Sequence, residues 1–558
     1  MNLSLSVPSL FQSLPSNLSE YIDMISFARP ISLLGGLTTL LAVAHAQNGS
    51  EPIAACQALA SSLAIENTTV NFAQYVTAGT NLSLSQEGEL PTCGEPFVVA
   101  PVDLCRVAMY VSTTNRSGIT LEAFLPTNWT GRFLMTGNGG ISGCLQYRDV
   151  AYAASFGFAS FGQNGGHNGT AGTAFYQNED VVEDYVYRGL HTGVVVGKQV
   201  TQAYYNSNYT KSYYLGCSTG GKQGFKSVQE FPEDFDGVVA GAPALYSPAL
   251  TAWSGHFYPI LGSSNSSTFV PSALWLVIHD EILKQCDGLD GVSDGIVEDV
   301  DLCQFRPEAL QCAPGATNTT ACLTGAQVGA VREVFSDYYG LDGELIFPRM
   351  QPGSELVARF LYYSGRPFAY TTDWYRYVVY QDPNWDPTTF TRVDAEAAID
   401  QNPFGAMSNK SDLSAYQSRG GKILHWHGQM DAIISSTTSP RYYNQVSRTM
   451  NLPSSSLDDF YRFFRVSGGG HCSGGDGAHM VGQAATEETT RDPQNNILSR
   501  IVAWVEEGSA PETITGTKYV NDDPAQGVAF VRNHCRYPFR NVCTDPDNYT
   551  SPDAWACV

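Results

Sequence analysis

Short apolar runs alternate with amphipathic stretches along much of this chain. The apolar runs predict β-strands at Phe133–Met135, Ser212–Leu215, Val238–Ala240, Lys422–Trp426 and Phe460–Val466. Helical spacing of apolar residues predicts helices at Val181–Tyr205, Lys222–Gln229 and Ile497–Glu506. Strands that alternate with helices are typical of a parallel sheet, so the pattern predicts an α/β fold.

The first 46 residues have the features of a targeting segment. The apolar run from Ile31 to Ala44 is too short to span a bilayer comfortably, and Ala44-His45-Ala46 is a small-x-small cleavage signal. We therefore predict a signal peptide over residues 1–46 and a secreted, extracellular protein. Met24 is an alternative start, because the segment from Met24 onward forms a complete signal peptide alone. An N-terminal membrane anchor is the alternative interpretation.

Composition narrows the class of protein. Hydrophobic residues make up 43% of the 558 positions and charged residues 15%, as in a globular protein. The net charge of −23 argues against nucleic acid and anionic membranes as partners. The length allows two or more domains.

Thirteen cysteines, all beyond residue 46, predict disulfides with one thiol left over. Their spacing matches no zinc site. Eleven Asn-x-Ser/Thr acceptors beyond residue 46 predict N-glycans on surface loops: Asn48, Asn67, Asn81, Asn115, Asn128, Asn168, Asn208, Asn265, Asn318, Asn409 and Asn548.

A candidate nucleophile follows the strand predicted at Ser212–Leu215. Ser218 is the central residue of Gly216-Cys217-Ser218-Thr219-Gly220, which has the Gly-x-Ser-x-Gly form of a nucleophile elbow. That pentapeptide alone is a weak signal, because structural turns match it often. A strand before it and a helix after it make the catalytic interpretation much stronger.

His471 is the candidate base and Asp431 the candidate acid. His471 precedes Cys472 in a glycine-rich stretch, and Asp431 follows the strand predicted at Lys422–Trp426, where such sheets place functional groups. His425 and His427 are competing bases, and Asp431 could be a solvated turn residue. If Cys217 bonds Cys472, Ser218 and His471 are forced close together, because a disulfide holds its Cα atoms roughly 5.5–6 Å apart.

Two backbone N–H groups are needed to stabilise the oxyanion of an ester intermediate. Thr219 supplies one as the residue after the nucleophile. The turn Gly137-Asn138-Gly139-Gly140, after the strand predicted at Phe133–Met135, is the candidate source of the other, through Gly139 and Gly140. An ordinary strand-to-loop turn is the alternative.

A glycine-spaced acidic loop is a candidate calcium site. Asp287, Asp290 and Asp294 would supply carboxylates, and Val292 and Ile296 carbonyl oxygens, to a cation that takes 6–8 oxygen ligands. An acidic, solvated loop is the alternative.

The sequence separation of 213 residues from Ser218 to Asp431 exceeds what a compact hydrolase needs. We therefore predict a catalytic domain formed by residues 47–245 and 396–558, and a lid domain over residues 246–395. Aromatic residues are frequent in the lid, among them Trp374, Tyr375, Tyr377 and Tyr380, and would suit a flat phenolic acyl group. Most of them must also form the lid's own core.

These motifs together resemble the secreted fungal tannase and feruloyl esterase family. The resemblance rests on Gly216–Gly221, the Asp431 turn, Gly470-His471-Cys472, the Gly137–Gly140 turn and the Asp287–Ile296 loop, and it covers essentially all of the mature chain. It implies an α/β-hydrolase domain with a large inserted calcium-binding lid, active as a monomer or homodimer on aromatic acid esters. It also implies the disulfides Cys56–Cys105, Cys93–Cys144, Cys217–Cys472, Cys286–Cys303, Cys312–Cys322 and Cys535–Cys557, with Cys543 free.

Two substrate classes occur in this family: hydroxycinnamoyl esters of plant cell-wall polysaccharides and galloyl esters of tannins. Some tannases of the family are cut at a dibasic site in the lid, and this chain has no adjacent Lys/Arg pair, which favours feruloyl esterase. A catalytically inactive glycan- or phenol-binding protein is an alternative of another class, although Ser218, Asp431 and His471 are all present.

Overall fold

The computed structural model describes residues 51–84 and 90–558. The predicted signal peptide, residues 1–46, lies outside the described residues. Within the described ranges, no helix combines the length and apolar character that crossing a membrane requires.

A mixed sheet of nine strands lies at the centre of the described structure, in the order β1-β4-β5-β7-β6-β8-β9-β12-β13. The strands are β1 Thr68–Val76, β2 Asn81–Ser83, β3 Phe97–Val99, β4 Leu104–Ser112, β5 Gly118–Pro126, β6 Arg132–Thr136, β7 Phe158–Gln163, β8 Lys211–Cys217, β9 Gly237–Gly241, β10 Tyr338–Tyr339, β11 Leu345–Phe347, β12 Lys422–Gly428, β13 Tyr461–Val466, β14 Thr513–Tyr519, β15 Val528–Cys535, β16 Asn541–Cys543 and β17 Trp555–Cys557. The strands outside the central sheet form two-stranded ribbons: β2 with β3, β10 with β11, β14 with β15, and β16 with β17.

The central sheet is parallel only in part. Strands β7, β6, β8, β9, β12 and β13 run parallel, as the alternating pattern predicts. Strands β1, β4 and β5 extend this sheet in antiparallel fashion beyond β7. The sequence prediction missed this extension because β4 and β5 are buried on both faces along most of their length, which removes the apolar-polar alternation of a half-buried strand.

Helices connect the strands and cover both faces of the sheet. They are α1 Glu51–Ser62, α2 Tyr147–Ser155, α3 Glu179–Glu183, α4 Gly189–Tyr205, α5 Thr219–Glu230, α6 Ser247–Leu261, α7 Ser272–Cys286, α8 Gly325–Val334, α9 Glu355–Ala358, α10 Ala369–Trp374, α11 Arg392–Gln401, α12 Ser414–Ser418, α13 Thr438–Met450, α14 Ser454–Leu457 and α15 Ile497–Glu507. One π-helical turn, Asp184–Arg188, joins α3 to α4, so the helix predicted at Val181–Tyr205 is continuous but irregular.

Alternation along each parallel strand creates two apolar cores. Phe133 and Met135 of β6 pack with Val194 of α4 and Phe225 of α5 on one face. Leu134, between them, packs on the other face with residues of α2 and α15. Successive strand side chains point to opposite faces, so both faces of this sheet need a helical layer.

Residues 246–395, the predicted lid, contribute no strand to the central sheet. Their secondary structure is helices α6–α10, the start of α11 and the β10–β11 ribbon. Large aromatic residues fill their interior, including Trp253, Trp275, Tyr363 and Tyr375, which are almost fully buried. Most lid aromatics are therefore core, and the domain boundary stays a prediction.

Six disulfides cross-link the described residues. They are Cys56–Cys105, Cys93–Cys144, Cys217–Cys472, Cys286–Cys303, Cys312–Cys322 and Cys535–Cys557. Cys543 is a buried free thiol.

Candidate active site

Ser218 lies at the junction of β8 and α5. Its backbone has φ 63° and ψ −121°, a strained conformation for a residue with a side chain. The turn is tight because Gly216 approaches Gly220 closely: a Cβ at Gly216 would lie 2.8 Å from the Gly220 carbonyl carbon. The strand–turn–helix context predicted for Ser218 is present.

Asp431 and His471 form a hydrogen-bonded pair. Asp431 follows β12, and its Oδ2 accepts from His471 Nδ1 at 2.7 Å. Its Oδ1 accepts from the Ile433 and Ile434 amides, each at 2.8 Å. Burial alone would raise the pKa of Asp431, but the charges and hydrogen bonds of His471 and His427 lower it below its usual range. The carboxylate can thus orient the His471 ring and stabilise its protonated form.

The Cys217–Cys472 disulfide links the elbow to the histidine loop across a sequence separation of 255 residues. Its Cα atoms are 5.8 Å apart, and Ser218 and His471 line one cavity. The structure therefore brings the three predicted catalytic residues to one edge of the sheet.

His427 has a place that sequence reasoning missed. It is one of the competing bases in the sequence, but its Nε2 contacts Asp431 Oδ2 at 3.0 Å while its Nδ1 lies 2.6 Å from Ser439 Oγ, and its side chain is fully buried. His427 is thus a second partner of Asp431, and it does not line the cavity that Ser218 and His471 share. His425, also on β12, is likewise buried, and burial together with His427 holds the pKa of His425 well below its usual value. The available signal was their spacing: His425 and His427 are two positions apart on β12 and therefore share one face of the strand.

The predicted oxyanion turn adjoins the elbow. The Gly140 carbonyl accepts from Thr219 Oγ1 at 2.7 Å and from Tyr185 Oη at 2.9 Å. Among the described residues, the Gly139 and Gly140 amides donate no backbone hydrogen bond. Thr219 opens α5, so its amide has no acceptor within that helix. Gly139 and Gly140 line the same cavity as Ser218, so these residues and Thr219 remain the candidate oxyanion donors.

A buried amide network holds this turn against α5. Asn138 Oδ1 accepts from Gln163 Nε2 at 2.6 Å and from Gln223 Nε2 at 2.9 Å. The backbone N–H of Asn138 donates to Gln223 Oε1 at 3.0 Å. No local sequence motif indicates this network, because it depends on which strands become neighbours.

Two cavities meet at the nucleophile, with Ser218, Gly140, Tyr370 and Ile433 lining both. The smaller one, here called the slot, is mainly apolar and is also lined by Leu250, Tyr362, Phe368 and Ile434. The larger, here called the groove, has a volume of about 440 Å³ and polar walls. The aromatic residues of the slot are therefore Tyr185, Tyr362, Phe368 and Tyr370. Of the lid aromatics singled out from the sequence, none lines either cavity.

The predicted calcium loop has a mixed set of contacts. Asp287 Oδ1 accepts from the Asp294 and Gly295 amides at 3.1 and 3.2 Å, and Asp294 Oδ2 pairs with buried Arg532 at 2.6 Å. Asp290 Oδ2 is buried without a hydrogen-bond partner, and burial raises the pKa of Asp290 to about 7.

That orphaned carboxylate oxygen fits a hard cation, which would remove the cost of burying it. Within the described ranges, however, no three His, Cys, Asp or Glu side chains are grouped as metal ligands. The fit thus depends on Asp290 together with Asp287, Asp294 and the carbonyl oxygens of Val292 and Ile296, and calcium stays a prediction.

Sequence comparison finds close relatives of nearly the same length. A protein named probable feruloyl esterase B-2 from Aspergillus oryzae is 54% identical over 504 residues, 90% of this chain and 95% of that one. Feruloyl esterase C from Talaromyces stipitatus is 50% identical over 524 residues, 94% and 98% of the two chains.

Solved structures that resemble this fold come from the same group of enzymes. The crystal structure of feruloyl esterase B from Aspergillus oryzae has a TM-score of 0.88 at 50% identity, covering 91% of this chain and all of that one. Tannin acyl hydrolase from Aspergillus niger has a TM-score of 0.70 at 21% identity, covering 91% and 95%, which supports the shared fold. The model of the tannase and feruloyl esterase family matches residues 105–558. This chain belongs to the tannase and feruloyl esterase family.

Proposed function

We propose that this protein is a secreted serine esterase that hydrolyses esters of hydroxycinnamic acids and releases ferulic and related acids from plant cell-wall polysaccharide. The relatives named feruloyl esterase, which share half or more of its residues over nearly full length, support the substrate class. The observation that carries the chemistry is the His471–Asp431 pair, tied through Cys472–Cys217 to Ser218.

The proposed reaction has two halves. Ser218 Oγ attacks the ester carbonyl while His471 Nε2 takes its proton, since Nδ1 is bonded to Asp431. Amides of Thr219 and of Gly139 or Gly140 stabilise the oxyanion. Collapse breaks the bond to the alcohol, which leaves with the His471 proton. Water then attacks the acyl-enzyme, losing its proton to His471, and Ser218 regains a proton as the acid departs.

We assign the acyl group to the slot, whose volume of about 60 Å³ must widen to admit it, and the alcohol to the groove. A flat aromatic acid gains most from an apolar slot walled by Phe368, Tyr362 and Leu250. An alcohol bearing many hydroxyl groups gains more from the polar groove.

Secretion, N-glycans and a structural calcium ion belong to the same proposal. The signal-like segment at residues 1–46, the six disulfides and the Asn-x-Ser/Thr acceptors support an oxidising secretory route. Bound at the Asp287–Ile296 loop, calcium would neutralise clustered carboxylates and order the loop, and the triad chemistry needs no Lewis acid.

Hydrolysis of methyl ferulate and methyl gallate by the purified protein, measured side by side, tests the proposal. We expect kcat/KM to be higher for methyl ferulate. The reverse order would indicate a tannase, and no turnover of either ester would indicate an inactive binding protein.

A further inference from the structure

The groove does not end at the catalytic residues. It runs from Ser218 and His471 past Gln146, Arg148 and Thr486. Arg148 and Ala485 also line a neighbouring cavity of about 370 Å³, which reaches Phe97 and Val99. The path leads from the reacting bond to an exposed aromatic ring.

The far end of this path lies on the ribbon formed by β2 and β3. Phe97 and Val99 lie on β3, where Val98 between them is buried against the core. Strand β3 pairs with β2, and the Cys93–Cys144 disulfide links the segment just before β3 to the groove wall. Phe97 is 53% exposed and Val99, two residues further along β3, is 47% exposed, so the ribbon presents an apolar patch to solvent.

The chemistry of the path selects a neutral, hydroxyl-rich ligand. Arg148, whose side chain is 57% exposed, pairs with Glu95, so the wall offers both donors and acceptors without a net positive charge. Glu488 adds a carboxylate that would repel anionic chains, and Asp149, whose pKa burial raises to about 6, adds a second negative charge only at neutral pH. A flat exposed ring such as Phe97 offers an apolar face on which the C–H bonds of a sugar can pack.

We propose that this path is an extended binding site for a neutral carbohydrate chain, the alcohol part of the ester, with Arg148 and Glu95 contacting sugar hydroxyls and Phe97 stacking on a more distant sugar. This inference rests on the proposed function for the identity of the acyl group. It adds that the enzyme recognises the polysaccharide well beyond the ester bond.

The test compares a ferulate ester of an arabinose-substituted xylo-oligosaccharide with methyl ferulate. The measured quantity is the ratio of the two kcat/KM values, oligosaccharide over methyl ester. Phe97→Ala and Arg148→Ala should each lower this ratio by roughly three- to tenfold, and the double variant by more. Exposed residues elsewhere give matched controls: Phe360→Ala, and Arg116→Ala, which breaks an exposed ion pair with Asp180. Both controls should keep the wild-type ratio.

A direct binding measurement separates this proposal from the function of the catalytic centre. Calorimetric titration with the same oligosaccharide lacking ferulate should give weaker binding to the Phe97→Ala, Arg148→Ala double variant than to wild type. An unchanged ratio and unchanged binding in the double variant would overturn the carbohydrate site. Wild type that binds the oligosaccharide but hydrolyses no ferulate would instead overturn the proposed reaction.

Discussion

His471 and His427 contact the same oxygen of Asp431, at 2.7 and 3.0 Å. The His471 side chain is 15% exposed and reaches the groove, whereas His427 is fully buried. His427 therefore holds the Asp431 carboxylate from its buried side, while Asp431 orients His471 on the side of the groove. With its second oxygen held by two amides, the Asp431 carboxylate has little freedom to rotate.

Ser218→Ala should lower kcat by roughly 10⁴- to 10⁶-fold on a soluble aromatic ester, because it removes the nucleophile. The fold should survive, since serine and alanine differ only by the hydroxyl. The measurements are kcat and the melting temperature. Near-wild-type turnover by a well-folded variant would end the proposed mechanism.

His427→Ala should lower kcat by roughly ten- to a hundredfold while KM stays nearly constant, because a misplaced acid misorients His471 without touching substrate. His425→Ala is the matched control. His425 lies on the same strand and contacts Tyr461 and Ser439; it reaches His427 only through the Ser439 hydroxyl, and none of its own hydrogen bonds reaches Asp431. We expect the control to lose stability and to keep kcat within a few-fold. Equal losses of kcat in both variants would contradict the orienting role of His427.

The depressed pKa of Asp431 predicts a specific acid sensitivity. A group whose pKa is lower in the folded state stabilises the fold above its unfolded value, near 3.9, and this stabilisation is lost as pH falls towards the folded value. The free energy of unfolding of wild type should thus decrease as pH falls below about 4. Asp431→Asn should show a shallower decrease over that window. Identical pH slopes for the two proteins would refute the assignment.

Removal of the Cys217–Cys472 bond should affect catalysis more than stability. The loop that carries His471 is rich in glycine, so without the bond it would sample many positions. In the chain-entropy model the bond contributes roughly 5 kcal/mol of stability, and engineered cases often deliver less. We expect the Cys217→Ala, Cys472→Ala variant to lose about a hundredfold or more in kcat/KM, measured well below its melting temperature.

The control for that experiment is the Cys535→Ala, Cys557→Ala variant, which removes a disulfide remote in sequence from all three catalytic residues. It should lose stability and keep kcat/KM. If the Cys217 and Cys472 variant also kept wild-type kcat/KM, contacts other than the disulfide would be holding the histidine loop.

Chelation should lower the melting temperature and leave kcat at low temperature unchanged, because the predicted calcium binds only the folded loop. In Asp290→Asn, which neutralises the orphaned carboxylate, added calcium should raise the melting temperature less than in wild type. Elemental analysis of protein purified without chelators provides the independent check. Absence of calcium there, with a melting temperature insensitive to chelator, would leave the loop a solvated turn.

The features that could be predicted from the sequence are those that short segments of the chain determine. Strand β8, the elbow at Ser218 and the turn before Asp431 follow from short apolar runs and glycine positions. The antiparallel strands β4 and β5 were not predicted, because burial along most of both strands removes the apolar-polar alternation. The Asn138–Gln223 hydrogen bonds and the role of His427 depend on strand order, which no short window of sequence contains.

Tyr370 lies where the slot meets the groove, and the separation of these two cavities affects the order in which the two products leave. The acyl group would lie in the slot while the alcohol lies in the groove, so the alcohol can depart without passing the bound acid. Once it has left, the space it occupied is the path by which water reaches the acyl-enzyme. A long saccharide that dissociates slowly from the groove would delay deacylation. The rate of its dissociation would then limit turnover on polymeric substrate.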